Sequence, residues 1–245
     1  MNNYAEHISK QIESKNPWYT ESHFAYAEKE SVRRIYEQRF LFFWKIIRRE
    51  ILKKGKITFL DYGCGDGYWS SVFSRFLSCE VTGVDYNPLR LQRAKAIVKN
   101  AKFIETDLRE RNEHIGRFDI VFCSQVIEHI EDDVSFLKNI RNHLKENGIL
   151  ILGTTNEGCL TQRVRNCITK GQTDHVHFYT EKEIKSKMEQ AGFVIIDIYR
   201  EVFFPGSYKL YYKLTSTDFG FKFLELLTIL FPSQCSDYYF ECKMR

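Results

Sequence analysis

The chain has 245 residues, 36 Lys and Arg against 32 Asp and Glu, and a formal charge of +4 at pH 7. That length suits one α/β domain with appendages and a substantial core, and so small a net charge does not by itself imply nucleic acid as the partner. Aromatics at 15% with only four prolines exclude a disordered chain, and no apolar run reaches the roughly 18 residues of a membrane span.

Residues 1 to about 28 are polar with scattered aromatics (Trp18, Tyr19, Phe24, Tyr26), which read either as a lid or as core for the N-terminal helix. From Glu30 to Lys54, Val32, Tyr36, Phe40, Phe43, Ile47 and Ile51 fall three or four apart, which predicts that helix, ended by Gly55. Its basic residues (Arg33, Arg34, Arg39, Lys45, Arg48, Arg49, Lys53, Lys54) read as a solvated face, with modest support for contact with a lipid surface. Thr58-Phe-Leu-Asp61 then runs into Gly63-x-Gly65-x-Gly67 and a helical pattern (Trp69, Val72, Phe73, Phe76). This is a strand handing over to a glycine loop, where a ligand can lie against main-chain atoms. The glycine spacing and Tyr68 depart from the dinucleotide fingerprint, and no Gly-Lys-Ser/Thr comes after them. Asp61 would repel a pyrophosphate and attract an ammonium. An adenosine with a cationic amino-acid end fits better than NAD.

Cys79 to Asp85 reads as a second strand ending in an acid about twenty residues beyond the loop, placed to grip ribose hydroxyls. Asn87-Pro88 opens a helix, Ala101 to Asp107 is a third strand and Phe118 to Ser124 a fourth. Asp132-Asp133 starts a further helix with acid at its positive end. Lys145 to Gly148 turns into a fifth strand, Ile149 to Leu152, and Thr154 to Tyr179 reads as a long loop. Thr180-Glu-Lys-Glu183 has the capping-box form, Phe193 to Tyr199 is a sixth strand, and Asp237 to Cys242 a last one. Between these two, the apolar run Phe219 to Phe231 is too short to cross a bilayer. It reads as a helix packed on the sheet or over the site, with an interfacial surface for a lipid-like substrate as the sharper alternative.

Taken together, the Asp61 glycine loop, the Asp85 and Asp107 strand ends and Gln125-Val-Ile-Glu128-His129 resemble a class I S-adenosylmethionine-dependent methyltransferase. The branch resembled includes the ubiquinone-biosynthesis O-methyltransferases, and the likeness covers roughly residues 57 to 200. It implies a Rossmann-like, doubly wound sheet of seven strands, mostly parallel with an antiparallel edge strand and helices on both faces. Residues 1–55 would form a helical lid or extension, and 56–245 the S-adenosylmethionine-binding domain with a helical insertion near 205–235. By the same likeness Asp61, Gly63, Gly65 and Gly67 hold the methionine end of the cofactor. Asp85 binds the ribose with Tyr86 beside the adenine, Asp107 and Leu108 address the adenine edge, and Ser124 and Gln125 lie under the sulfonium.

His129 comes after the fourth strand on the ligand-binding edge, and its ordinary titration range suits a base that removes a proton from a hydroxyl acceptor. A structural histidine is the competing reading. Relatives with Glu-x-x-Glu-His hold a divalent ion there; neutral Gln125 replaces the first carboxylate, so no metal is assigned, although His175 or His177 could extend a ligand set. His177 could also touch an acceptor hydroxyl or simply anchor its loop. Cys64 reads as a small buried residue, and the seven cysteines, lacking a Cys-x-x-Cys pair, as reduced thiols. With no secretory signal visible at Met1 to His7, a cytoplasmic protein is expected. The expected activity is methyl transfer from S-adenosylmethionine to a small molecule, most readily at oxygen. The rivals are a metal-dependent RNA 2′-O-methyltransferase and a cofactor-binding protein without turnover. Peripheral membrane contact stays open.

Overall fold

The computed structural model describes residues 22–169 and 175–245; Trp18 and Tyr19, candidates for lid or core, lie outside them. The strands are β1 (Ile57–Tyr62), β2 (Cys79–Asp85), β3 (Ala101–Glu105), β4 (Phe118–Ser124), β5 (Leu144–Thr155), β6 (Phe193–Arg200) and β7 (Asp237–Met244). They form one sheet in the order β3-β2-β1-β4-β5-β7-β6. The first five pair in parallel, while β7 runs antiparallel to both β5 and β6. The antiparallel strand therefore sits one place in from the outermost strand, β6. Chain order reverses between β1 and β4, and ligands bind at the carboxyl ends beside such a switch point.

Around the sheet lie α1 (His23–Glu28), α2 (Glu30–Lys54), α3 (Tyr68–Phe73), α4 (Pro88–Ile97), α5 (Asp133–Asn142), α6 (Leu160–Thr169), α7 (Glu181–Gln190), α8 (Tyr208–Thr215) and α9 (Asp218–Leu230). Successive strand residues point to opposite faces, which splits the core into two layers. Phe59, Phe122, Ile151 and Tyr239 pack with Phe43, Ile46 and Ile47 of α2, Trp69 and Phe73 of α3, and Phe221 and Leu224 of α9. Leu60, Val121, Leu150 and Phe240 pack on the other side with Leu137 and Ile140 of α5 and Ile184 and Met188 of α7.

Local signals explain several boundaries. Gly55 closes α2 at φ 77°, its N–H bonded to the Ile51 carbonyl. Asn87 caps α4, which starts at Pro88, and Thr180 and Glu183 form the reciprocal capping box of α7. Two expectations need correction. The Thr154–Tyr179 loop contains α6, whose four-residue apolar spacing (Leu160, Val164, Ile168) has no capping signal to announce it. The segment after β6 holds two helices, α8 and α9. Much of the basic side of α2 is paired with acids instead of solvated: Arg39 is buried against Glu201 and Asp237, Arg49 meets Glu241, Lys54 meets Asp119, and Arg34 meets Asp218. Opposite charges brought from β4, β7, α9 and the residue just after β6 are invisible in a helix read alone, and this pairing withdraws the support those residues lent to lipid contact.

Candidate active site

Asp61 ends β1 nearly buried, at 3% exposure. Burial pushes its carboxyl up to about 7, although the Ser70 hydroxyl, donating at 2.6 Å, works the other way. Behind it the chain turns through Gly63 at φ 88°, where a Cβ would meet Val126 Cγ2 at 2.3 Å. At Gly65, φ 53°, a Cβ would run into the Arg90 guanidinium. The Asp85 carboxylate organises this loop, accepting from the Gly65 N–H at 2.8 Å and the Asn87 N–H at 2.9 Å. Its pKa is raised by burial, against the pull of Arg90. Arg90 in turn pairs with buried Asp66 at 3.2 Å. Asp66 also accepts the His23 backbone N–H at 3.0 Å, pinning α1 over the loop.

One cavity of about 1000 Å³ runs along the carboxyl edge of the sheet. Of the residues expected at the site, Asp61, Gly63, Asp85, Tyr86, Leu108, Ser124, Gln125 and His129 line it. Gly65 and Gly67 shape the loop without lining the wall. Asp107 is not brought to it either: its carboxylate is engaged by Arg109, Nη2 to Oδ2 at 2.7 Å, and Leu108 and Arg109 face the cavity instead. A short side chain beside an arginine two residues on closes a local ion pair, an outcome the bare strand-end pattern does not reveal.

The cavity is also lined by residues that the sequence patterns do not single out. Gln125, at φ 58°, donates from Nε2 to Asp237 Oδ1 at 3.1 Å. Asp237 also accepts from Arg39 Nη2 at 3.4 Å, while Arg39 Nε binds Glu201. Glu201 Oε1 further accepts from the Tyr211 hydroxyl at 3.0 Å and the Ser236 hydroxyl at 2.8 Å. One guanidinium thus serves two buried carboxyls. Burial raises both, but Arg39 outweighs it at Glu201, which ends below the usual range. Asp237, facing burial and the Glu201 charge together, is driven well above it. Tyr26, Tyr36, Tyr208, Tyr211 and Tyr212 complete this compartment, with the Tyr26 and Tyr212 hydroxyls 2.7 Å apart. Only the polar-apolar character of Tyr208 to Tyr212 hints at it in the sequence.

His129 is exposed on the cavity wall, its ring 4.7 Å from that of His175 in an edge-on arrangement. Glu128 is fully buried beneath. Its Oε2 accepts from the Thr154 hydroxyl at 3.1 Å, and its Oε1 has no hydrogen-bond partner. Ligand atoms of Glu128, His129 and His175 all lie within 4.8 Å of one another, the one such grouping among the described residues. His175 also approaches Glu157 at 3.2 Å. One carboxylate and two imidazoles suit a transition-metal ion better than Mg²⁺, and Gln125 adds nothing, since its amide is turned to Asp237. His177 does not line the cavity. It approaches the Glu131 carbonyl at 3.1 Å and Asp133 at 3.8 Å, contacts that anchor the loop. Cys64 is buried, as expected, and burial together with Asp61 and Asp85 raises its thiol pKa, which disfavours the reactive thiolate. All seven cysteines are free thiols; Cys167 alone is exposed.

Comparison with known proteins agrees with this geometry. A family model described as a methyltransferase domain matches residues 29–198. The ubiquinone biosynthesis O-methyltransferase of Coxiella burnetii (strain RSA 331 / Henzerling II) is 29% identical over 166 residues, covering 63% of this chain and 70% of the relative. The mitochondrial enzyme of the same name from Schizosaccharomyces pombe is 29% identical over 175 residues, 64% of this chain and 62% of its own. Among solved structures, the magnesium protoporphyrin IX methyltransferase of Synechocystis PCC 6803, with SAH bound, superposes at TM-score 0.62 with 17% identity, covering 97% and 96% of the two chains. The N-methyltransferase NodS of Bradyrhizobium japonicum WM9, also with S-adenosyl-L-homocysteine, gives 0.61 with 14% identity over 99% of each. At such identities the last two speak for the fold alone.

Proposed function

The chain belongs to the methyltransferase-domain family and is an S-adenosylmethionine-dependent enzyme, and from that premise we propose that it methylates an oxygen atom of a small molecule held in the tyrosine-lined half of the cavity. S-adenosylmethionine supplies an activated methyl group on a sulfonium leaving group, so the protein's work is alignment and proton removal. Asp61 and the loop of Gly63, Gly65 and Gly67 hold the amino-acid end, Asp61 giving up its proton to face the ammonium. Asp85 takes the ribose hydroxyls on lone pairs not used by Gly65 and Asn87, with Tyr86 and Leu108 against the adenine. Asp107 contributes through its pairing with Arg109. Ser124 and Gln125 mark the boundary between the two halves, where the methyl group passes.

The observation that carries this reading is that a single cavity is lined by Asp61 and Asp85 together with His129 and the tyrosines. His129 stands on that wall as the base for an acceptor hydroxyl. Likeness to ubiquinone biosynthesis O-methyltransferases favours oxygen over nitrogen as the target. Tritiated S-adenosylmethionine incubated with hydroxylated aromatic acceptors, their amine counterparts and RNA should label only hydroxyl groups; label confined to amines or RNA would overturn the assignment. With the acceptor in hand, His129→Ala should leave S-adenosylhomocysteine affinity unchanged and lower kcat by about 10²-fold or more, the usual contribution of a positioned base.

A second reading is favoured by one observation, the grouping of Glu128, His129 and His175 with a buried carboxylate oxygen lacking a partner. In it, these side chains hold a divalent ion that orients the acceptor, as in a metal-dependent RNA 2′-O-methyltransferase. Calorimetry with Zn²⁺ and Mn²⁺ separates the two: no binding heat, and turnover indifferent to chelator, leave His129 as the base.

A further inference from the structure

Helix α9 turns Gly220, Phe221 and Leu224 toward the sheet. Its opposite side is apolar as well. Phe219 is 83% exposed and Ile229 77%, with Phe223, Leu226, Leu230 and the adjoining Phe231 about half exposed. At 3.6 residues per turn, Phe219, Leu226 and Leu230 fall within one narrow arc, with Lys222 beside them. A soluble helix ordinarily shows charge on that side, and a contiguous apolar surface of this extent marks an interaction site.

A second apolar face lies close by. On α6, Leu160, Val164 and Ile168 (76% exposed) form an outward stripe four residues apart. The Thr161 N–H at the start of α6 approaches Gln234 Oε1 at 3.4 Å, just beyond the end of α9. Arg165 of α6 lies 4.5 Å over the ring of Tyr208 in α8, and Tyr208 and Gln162 both line the cavity. Helix α6 therefore lies beside the tyrosines of the cavity, with the segment that follows α9 at its start.

We propose that α6 and α9 seat the protein on the surface of an anionic lipid bilayer, with the tyrosine-lined half of the cavity toward it. Charge selects this occupant. Arg163 and Arg165 on α6, Lys209 and Lys213 on α8 and Lys222 on α9 flank the apolar residues. Of the two acids on these helices, Asp218 is paired with Arg34, leaving Glu225. Apolar side chains set among cations are the composition of an interfacial helix. A second copy is a poorer fit, because a two-fold contact would bring these like charges together. An amphipathic acceptor could then enter from the lipid without crossing water; that link rests on the function proposed above, whereas the docking does not.

The test is vesicle flotation of the full chain with S-adenosylhomocysteine bound. Equimolar phosphatidylglycerol and phosphatidylcholine should carry the protein up, and pure phosphatidylcholine should do so far less. Added salt should weaken the first case. The triple variant Phe219→Ser, Leu226→Ser, Ile229→Ser should bind vesicles at least about tenfold more weakly, given what each lost apolar insertion contributes. Its S-adenosylhomocysteine affinity by calorimetry should be unchanged, which shows that it folds and keeps the cofactor site. Lys222→Glu should mainly lower binding to the anionic vesicles. Absence of flotation, or equal flotation by wild type and triple variant, would overturn the proposal. A wild-type dimer in sedimentation that the triple variant abolishes, without vesicle binding, would assign the face to a second copy. Failure of cofactor binding by wild type would instead strike at the enzymatic reading.

Discussion

At the scale of single residues, burial raises several carboxyls of the site. Asp61, held near 7, is substantially protonated in the empty protein at neutral pH. An ammonium placed beside it favours the carboxylate, so cofactor binding must expel that proton. Affinity for S-adenosylhomocysteine should therefore rise by up to about tenfold per pH unit below 7 and level off above it. Calorimetry in two buffers of different ionisation heat should register the released proton. Asp61→Asn should bind more weakly and lose the pH slope; a slope unchanged in that variant would move the ammonium elsewhere. The Arg39 cluster makes a contrasting case. With one cation for two acids, the Asp237 carboxyl is raised by burial and by the Glu201 charge while Arg39 lowers Glu201, so the proton is expected on Asp237. Asp237→Asn, which mimics the protonated acid, should barely shift thermal stability. Glu201→Gln leaves Arg39 buried without its main counter-charge and should cost about 3–5 kcal/mol. Denaturant titration decides between them, and equal losses would refute the assignment of the proton.

At the scale of elements, α1 is tied down by polar contacts more than by packing. Its one buried residue is Ala27. It is held by Asp66 at the His23 N–H, by the His23 Nε2 to Tyr36 hydroxyl contact at 2.8 Å, and by Tyr26 against Tyr212. Burial and the nearby Arg90 lower the His23 pKa to about 3. The imidazole is thus neutral when folded, whereas the unfolded chain takes up a proton near 6.5. The contribution of His23 to stability is intact above 6.5 and is lost as pH falls from there toward 3. Amide exchange across α1 should accelerate over that window ahead of α2, and His23→Gln should flatten the acceleration. Uniform exchange of both helices would mean that α1 has no separate transition. Legibility in the sequence divides in the same way between local and distant causes. The glycine loop, the acid-ended strands and the capped helices α4 and α7 are readable because each is specified by neighbours within a few residues. The partners of Arg39 are not, since Glu201 and Asp237 lie 162 and 198 positions away. Neither is α6, whose apolar stripe faces outward and whose start follows Gly158-Cys159, with no Ser, Thr, Asp or Asn to announce it.

For the whole molecule, the decisive feature is where the last strand goes. The chain's C-terminal segment does not close the sheet at its edge but enters between β5 and β6. Tyr238, Tyr239, Phe240 and Cys242 are essentially fully buried there, bridging both core layers. At roughly 1.5–3 kcal/mol for each large buried side chain, their contribution is comparable with the roughly 5–15 kcal/mol that separates a native domain from its unfolded state. The same strand carries Asp237 into the acceptor compartment and Tyr239 against Ser124, hydroxyl to hydroxyl at 3.3 Å. Site and stability are therefore coupled through β7, and neither is complete until the end of the chain is in place. Deletion of residues 237–245 should abolish the cooperative thermal transition and S-adenosylhomocysteine binding together. Removing Arg245 alone, whose N–H bonds the Gly192 carbonyl at 2.9 Å, should lower the Tm by a few degrees at most, since it takes away one terminal hydrogen bond of about 1 kcal/mol. A truncated chain that still melted cooperatively and bound S-adenosylhomocysteine would show that β1 to β5 hold the cofactor half on their own, and that the coupling runs only through the acceptor side.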